Sequence, residues 1–143
     1  MPEHPPLTDD ELLRWDAWKR ASDGVLDRVR REVREATGLS NADFAVLLIV
    51  VDSGGGVVRQ QQLCAETGWT QSRASNHLSR MERRELVRRE PIPGGVLIHA
   101  TDDGQGALLR AKPVHAAAVR RHLLDGLDDD AHGAIARLAD ALN

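Results

Sequence analysis

Short hydrogen-bonding side chains and cations are concentrated in the segment TGWTQSRASNHLSRMERRELV, in a chain whose formal net charge is −3. Thr70 can cap a helix here, and Ala74, Leu78 and Met81 recur at i, i+4 and i+7 as its inward face. The face roughly opposite, which holds almost no acid, consists of Ser72, Asn76, Ser79 and Arg83, flanked by Arg73, His77 and Arg80. Because Arg hydrogen-bonds guanine edges and Asn adenine edges, this face has the chemistry that DNA readout requires.

Charge is distributed unevenly along the chain. Residues 59–90 carry seven Arg against four Glu, whereas residues 1–58 carry seven Lys and Arg against eleven acids. Residues 101–143 carry five basic residues against seven acids. A basic stretch within an acidic chain is typical of a localised anion-binding surface, although an ordinary solvated surface is the alternative on charge alone.

The neighbouring elements predict a winged helix-turn-helix. The segment RQQQLCAET, residues 59–67, can form a short helix before a turn at Gly68. After the second helix, extended runs at residues 86–90 and 96–100 surround a Pro-Gly-Gly turn. Two short helices followed by a hairpin are the elements of a winged helix-turn-helix.

A long amphipathic helix should precede this region. Apolar residues recur at three- and four-residue steps from residue 12 to residue 36, between a Thr8–Glu11 capping box and Gly38. Such a helix spans about 40 Å, and one layer of a small domain cannot cover its apolar stripe, so we expect a partner chain. A second helix should begin at Ser40 and run through FAVLLIVVD as a buried element; a buried strand is the alternative.

The C-terminal third also favours a dimer. Thr101 should cap a helix that Pro113 kinks or divides, and Asp128 should cap a last short helix. Several leucines here have little left within one subunit to pack against, although packing within the chain is the alternative for some of them. The predicted dimer contacts are Leu123, Leu124, Leu127 and Leu138.

Length and cysteine content limit the possible classes of protein. A chain of 143 residues fits one domain that needs no disulfide, and the single cysteine, Cys64, is expected to pack as a small apolar residue of the first short helix. The N-terminus lacks a secretory signal, and the longest apolar run, residues 44–51, is too short to cross a bilayer. We therefore expect a cytoplasmic protein without a membrane partner.

Catalytic and cofactor motifs are lacking in the sequence. There is no Gly-x-Ser-x-Gly, His-Glu-x-x-His or dinucleotide-binding fingerprint, and the triple glycine at residues 54–56 lacks the Gly-Lys-Ser/Thr of a phosphate-binding loop. His115 and His122 are a weak metal constellation. We expect no enzyme activity, no cofactor and no metal.

The order of these segments resembles the MarR (multiple antibiotic resistance regulator) family. The resemblance covers roughly residues 10–143: a long first helix, GLSNADFAVLLIV, QLCAETGWTQSRASNHLSRMERRELVRRE, a hairpin and TDDGQGALL. It implies a mainly α fold with a small β-hairpin wing (α+β), in a single domain. Residues 39–100 would form the DNA-binding region, and residues 8–37 and 101–143 the dimerisation helices. It also implies an obligate homodimer on a pseudo-palindromic operator, with repression relieved by a small, often aromatic and anionic, ligand.

The resemblance also implies which residues contact DNA. Ser72, Arg73, Asn76, His77 and Arg80 match groove-facing positions of the family, and Arg88 and Arg89 match the first wing strand. With the residues that open and extend the recognition helix, the predicted set is Thr70, Gln71, Ser72, Arg73, Asn76, His77, Arg80, Arg83, Arg88 and Arg89.

This sequence departs from the family pattern at the wing. Residues 91–95, Pro-Ile-Pro-Gly-Gly, replace the charged Asp-x-Arg tip, and Glu85 replaces a common glycine. We expect weaker minor-groove anchoring and an altered hairpin angle.

The first helix offers a candidate ligand site. Trp15 and Trp18 could line an aromatic effector site or could belong to the core. The alternative functions are a winged-helix module that binds another protein and a nonspecific architectural DNA-binding protein without a ligand.

Overall fold

The computed structural model describes residues 4–143, which form six α-helices and a small antiparallel sheet of three strands. The expected fold class, mainly α with a β-hairpin wing, is confirmed. The helices are α1 (Asp9–Thr37), α2 (Asn41–Leu48), α3 (Gln60–Thr67), α4 (Gln71–Arg83), α5 (Asp102–His122) and α6 (Asp129–Ala141). The strands are β1 (Val57–Arg59), β2 (Val87–Ile92) and β3 (Gly95–Ala100).

Helix α1 begins and ends as its sequence predicts. Thr8 and Glu11 form the capping box, and Gly38, at φ 76°, donates its N–H to the carbonyl of Arg34. Within α1 only Val29 and Val33 are buried. The N-terminal half of the predicted apolar stripe therefore projects away from its own chain.

Helix α2 lies at the centre of the core, and the strand alternative is wrong. Ser40 and Asp43 form its capping box, and a π-helical turn, Ile49–Ser53, continues it. Its buried side chains pack against α3, α4, β3 and α5 through a single cluster. The largest fully buried members are Leu39, Leu47, Leu63, Leu78, Met81, Ile98 and Leu108.

Helices α3 and α4 form the predicted helix-turn-helix. Gly68, at φ 73°, ends α3, and Thr70 caps α4 by accepting the N–H of Arg73 at Oγ1, 3.1 Å away. As expected, the buried side of α4 includes Ala74, Leu78 and Met81. Trp69, between the two helices, is half-buried against the core.

The sheet contains one strand that the sequence did not predict. β2 and β3 form the expected hairpin, and β1 pairs with the other edge of β3, with Val58 opposite Ile98. β1 is only three residues long, too short for its alternation to be recognised in the sequence. It places Arg59 beside the hairpin, directly before α3.

Helix α5 is continuous through Pro113, so the predicted division is wrong. The proline faces solvent, and the residue four positions earlier, Leu109, is 70% exposed. The carbonyl that loses its helical donor is thus on the solvent side, where water can satisfy it. α5 packs along α1, and a short 3₁₀ turn, Leu124–Gly126, leads to α6, which has no buried residue.

The start of α5 is pressed against the start of the hairpin. Thr101 donates from Oγ1 to the carbonyl of Glu85 and from its N–H to that of Leu86. A Cβ at Gly104 would lie only 2.0 Å from the Leu86 oxygen. Glycine at this position is therefore a requirement of the packing.

No single helix within residues 4–143 has both the length and the apolar composition to cross a membrane. α1 and the α2 segment pass that test only together, across an 83° bend. α2 is a core element of the domain.

Candidate nucleic-acid interface

The outward face of α4 presents hydrogen-bonding groups to solvent. Its apolar side is fixed in the core, so the opposite side is turned outward. The exposed side chains of α4 on this face are Gln71, Ser72, Arg73, Asn76, Arg80 and Arg83, all of them predicted DNA contacts. The one acid of the helix, Glu82, is engaged by the wing, as described below. Thr70, also predicted, is exposed at the cap.

His77 is buried rather than exposed on the outward face of α4, which corrects the expectation from the sequence. Its ring is buried, and Nε2 lies 3.0 Å from Oδ1 of Asp43, a carboxylate at the start of α2 that is 1% exposed. The other ring nitrogen, Nδ1, lies 3.2 Å from Nη2 of Arg80. His77 lies at the boundary between the inward and outward faces of α4, and its ring is turned toward Asp43. Burial lowers the pKa of His77, against the opposing attraction of the Asp43 charge.

Arg89 binds α4 rather than projecting freely, which also corrects the expectation. Its backbone N–H donates to Glu82 Oε2 at 2.9 Å, and its guanidinium donates to Glu82 Oε1 at 3.1 Å and to Ser79 Oγ at 2.9 Å. The backbone bond from Arg89 is the main cause that holds the pKa of Glu82 below its usual range. Arg88, one position earlier on the strand, is exposed. Arg88 therefore remains the wing-strand cation that is directed to solvent.

Arg73 is held by an aromatic ring at the edge of this face. Its guanidinium carbon lies 4.7 Å from the ring centroid of Trp69, a cation–π distance. The same indole meets His77 edge-on at 5.5 Å. Trp69 thus supports the first turn of α4 rather than merely filling space between the two helices.

A polar cleft beside the wing contains a cation that sequence reasoning missed. The cleft, of about 280 Å³, is lined by Arg59, Gln60, Gln61, Gln71, Gly94, Gly95 and Val96. Gln60 Nε2 donates to Gln71 Oε1 at 3.1 Å, joining the starts of α3 and α4. Arg59 is exposed and opens the basic stretch, which is the signal that could have identified it. The wing tip itself carries no charge, as the sequence indicates.

A second concave site lies between α1, α2 and α5. This cavity, of about 190 Å³, has mainly apolar walls, with polar groups from Arg30, Asn41 and His115. The rings of Phe44 and His115 stack at 4.8 Å with a tilt of 31°. An adjoining open groove of about 540 Å³ shares Val25, Leu26 and Leu123 with the cavity.

The two tryptophans of α1 differ in their relation to these sites. Trp18 lines the open groove, whereas Trp15 lines neither the groove nor the cavity. Both side chains are about half exposed, so neither belongs to the core of the described chain. Trp15 is covered in part by Lys19, whose Nζ lies 5.4 Å from the ring centroid. Sequence reasoning missed Arg30, Asn41, Phe44 and His115, because residues from three helices meet only in the fold.

The leucines predicted for a dimer contact lie at the C-terminal end of the helices. Leu123 and Leu127 are half-buried and line the open groove, whereas Leu124 and Leu138 are 40% and 46% exposed. Nearby, Glu32 of α1 binds the end of α5, where Arg121 Nη1 and His122 Nε2 each lie 2.5 Å from its carboxylate. The hydrogen bond from His122 and then that from Arg121 hold the pKa of Glu32 below its usual range.

Metal ligands do not cluster in the part of the chain that the structure describes: no three His, Cys, Asp or Glu side chains could hold one ion together. Cys64 is a free, half-buried thiol.

Comparison with known proteins finds similarity to one family of transcriptional regulators. Residues 37–95 match the model of the MarR family. AbsC, a MarR family transcriptional regulator from Streptomyces coelicolor, is 28% identical with a TM-score of 0.86, over 98% of this chain and 94% of its own. Sco3205 from the same organism, a MarR family regulator solved in complex with DNA, is 26% identical with a TM-score of 0.85, over 99% and 91%.

A third protein shares the fold at lower identity. BpsR from Bordetella bronchiseptica, whose DNA binding is regulated by 6-hydroxynicotinic acid, is 20% identical with a TM-score of 0.74, over 91% of this chain and 98% of its own. No curated protein sequence matches significantly. Residues 37–95 of this chain are thus similar to the MarR family model, and its whole fold is similar to that of MarR family transcriptional regulators.

Proposed function

We propose that this DNA-binding regulator is a homodimeric repressor that reads a pseudo-palindromic operator and is released by a small aromatic anion. The observation that carries the proposal is the exposed face of α4, which offers Ser, Asn, Gln and Arg side chains and no free acid. Major-groove readout requires such groups on a helix. Residues 39–100 would form the DNA-binding region, and residues 8–37 and 101–143 the dimerisation helices, of a protein acting in the cytoplasm.

Uncovered apolar side chains support the dimer. They lie on α1, α6 and the segments beside them, outside the winged region, and include Leu12, Leu13, Trp18, Leu26, Leu124, Ile135, Leu138 and Leu142. Several large apolar side chains left exposed on the same elements are typical of an interaction site. A two-fold axis through these helices would place the two α4 helices in successive major grooves, about 34 Å apart.

The cavity between α1, α2 and α5 is the proposed effector site. Phe44 and His115 offer rings for stacking, and Arg30 offers a cation in a pocket whose walls are mainly apolar. Such a site suits an aromatic carboxylate, and the regulation of BpsR by 6-hydroxynicotinic acid gives a precedent in the same fold. An effector that binds more tightly to a dimer whose α4 helices have the wrong spacing would shift the equilibrium toward that dimer. A difference of a few kcal/mol in binding free energy is sufficient.

The test is fluorescence anisotropy with the chain's own upstream intergenic DNA and a scrambled duplex, across a salt series. A preference for its own DNA that 6-hydroxynicotinate or benzoate abolishes would support the whole proposal. Equal and steeply salt-dependent binding to both duplexes would instead indicate an architectural protein. No binding to either would favour a module that binds another protein. An Arg30→Gln variant should keep the preference for the operator while losing the response to the aromatic anion.

A further inference from the structure

Arg80 is exposed on the DNA-facing side of α4, yet its guanidinium is connected to the protein interior. Nη2 of Arg80 lies 3.2 Å from Nδ1 of His77, whose side chain is only 11% exposed. The far side of that ring approaches Asp43 of α2. An exposed arginine is ordinarily free to adopt many rotamers, so contact with a buried ring restricts its direction.

The hydrogen-bond partners of Asp43 determine which nitrogen of His77 carries the proton. Oδ2 of Asp43 accepts from Arg84 Nη1 at 2.7 Å and from the backbone N–H of Ser40 at 2.9 Å. Oδ1 is left to face His77 Nε2 at 3.0 Å, and neither of these two atoms makes a well-aligned hydrogen bond within residues 4–143. Because a carboxylate oxygen only accepts, Nε2 must carry the proton for this close contact to be attractive. Nδ1 then has a free lone pair directed at Arg80.

We propose that Asp43 and His77 form a relay that positions Arg80 for base contact, and that protonation of His77 releases Arg80. The proposal rests on the proposed function in assuming that Arg80 contacts the operator. With one proton, the imidazole accepts from Arg80 at Nδ1. With two protons, both ring nitrogens donate, and an N–H of a cation then faces the N–H of another cation. The contact that directs Arg80 toward the DNA becomes repulsive.

The surroundings of His77 are consistent with a neutral ring near neutral pH. The charged groups that face it are Asp43 on α2, Arg80 on α4 and Arg84 after α4, and Trp69 covers one side of the ring. Two cations against one anion, together with burial, oppose a second proton. Acidification should therefore weaken operator preference, whereas phosphate contacts made by other arginines do not depend on this ring.

Four variants test the relay against the wild-type homodimer. In His77→Gln the amide nitrogen can still reach Asp43, but nothing replaces the Nδ1 acceptor. In His77→Asn the amide oxygen can replace Nδ1 as the acceptor for Arg80. Arg80→Ala removes the positioned group, and His77→Gln/Arg80→Ala closes a double-mutant cycle. Arg83→Ala is the matched control, because Arg83 is an exposed arginine of the same helix that bonds to the Ser79 carbonyl instead.

The readout is the ratio of affinities for upstream and scrambled DNA, measured at pH 7.5 and at pH 5.5. Arg80→Ala should lower the ratio about 5- to 150-fold, the range for one base contact. His77→Gln should lower it by a similar factor, and the double variant should lose nothing further. His77→Asn should retain most of the ratio. In a further control, the double variant His77→Gln/Arg83→Ala, the two losses should be additive. The wild-type ratio should fall on acidification, and that of His77→Gln should not.

Additive losses in the cycle, or equal losses in the Gln and Asn variants, would overturn the relay. ¹⁵N NMR of the wild-type histidine rings tests it without any variant, since a His77 ring protonated at Nδ1 alone at pH 8 would also overturn it. If the wild-type protein prefers its own DNA and Arg80→Ala does not reduce that preference, Arg80 makes no base contact and the relay is overturned. If the wild-type protein shows no preference for its own DNA, the proposed function fails, and the relay fails with it.

Discussion

Arg84 and Asp43 join the end of the recognition helix to the start of α2. Nη1 of Arg84 lies 2.7 Å from Asp43 Oδ2, and its other terminal nitrogen donates to the carbonyl of Gly38 at 3.0 Å. Burial disfavours the charge on Asp43, but the hydrogen bonds from Arg84 and from the Ser40 amide outweigh it and hold the pKa of Asp43 below its usual range. Arg84, through the Asp43 carboxylate and the Gly38 carbonyl, thus connects the end of α4 to α2 and to the end of α1.

Asp43→Asn should destabilise the fold by about 2 kcal/mol at pH 7, because charged hydrogen bonds to a buried acceptor are lost. An acid whose pKa is depressed by folding contributes stability above its unfolded value of about 3.9, and that contribution disappears as pH falls through the folded value. Urea unfolding at pH 7 and near pH 3 should therefore give a difference between the proteins that shrinks in acid. Asp23→Asn, an exposed carboxylate on α1, is the control; an equal loss there would contradict the assignment.

Glu85 occupies a backbone conformation that suits glycine. Its φ is 61°, and it is the only non-glycine residue with positive φ within residues 4–143. The left-handed conformation costs a residue with a side chain about 1–2 kcal/mol, while glycine adds unfolded-state entropy worth about 0.5–1 kcal/mol. Glu85→Gly should therefore stabilise the fold by up to about 1 kcal/mol in urea unfolding. Gly38→Ala, at φ 76°, should destabilise the fold. A destabilising Glu85→Gly or a stabilising Gly38→Ala would refute the explanation.

The uncharged wing tip should reduce the salt dependence of DNA binding. Gly95 has open space where a Cβ would be, so Gly95→Arg can add a cation at the tip without a clash. One added phosphate contact should steepen the log–log salt slope by about 0.9, and Arg59→Gln should flatten it by a similar amount. Anisotropy titrations between low and moderate salt measure both slopes. Slopes that do not change would mean that neither position reaches the DNA backbone.

The proposed dimer predicts a specific effect at Leu138, which is 46% exposed on α6. Leu138→Asp should shift the protein toward monomer in sedimentation equilibrium, because a carboxylate buried at a subunit interface lacks a partner. Operator affinity should fall with it, since two half-sites bound by one dimer reinforce each other. Leu109→Asp is the control, because Leu109 is exposed beside Pro113 on the solvent side of α5. A fully dimeric Leu138→Asp protein would place the interface elsewhere.

Elements fixed by local signals were predictable from the sequence. Capping at Thr8, Ser40 and Thr70 depends on neighbours within three residues, and the structure confirms each cap. The inward face of α4 follows from helical periodicity alone. The order of these elements was therefore sufficient to indicate the winged fold.

Side-chain directions that depend on distant partners were not predictable. Helical periodicity places His77 at the boundary of the two faces of α4. Its ring turns inward toward Asp43, which lies 34 positions earlier in the sequence. Arg89 turns to α4 because Glu82 and Ser79 are opposite it in the fold. Pro113 was expected to interrupt α5, but only the structure reveals that it faces solvent.

The close packing at Gly104 has a mechanical consequence. The hairpin backbone occupies the space that a methyl group would need, and Thr101 fastens the same junction with two hydrogen bonds. Because this junction is so closely packed, we expect the hairpin and the start of α5 to move together. In the proposed dimer, a change of angle at the subunit contact would then be transmitted to the winged region, and selection among random substitutions at position 104 should return only glycine.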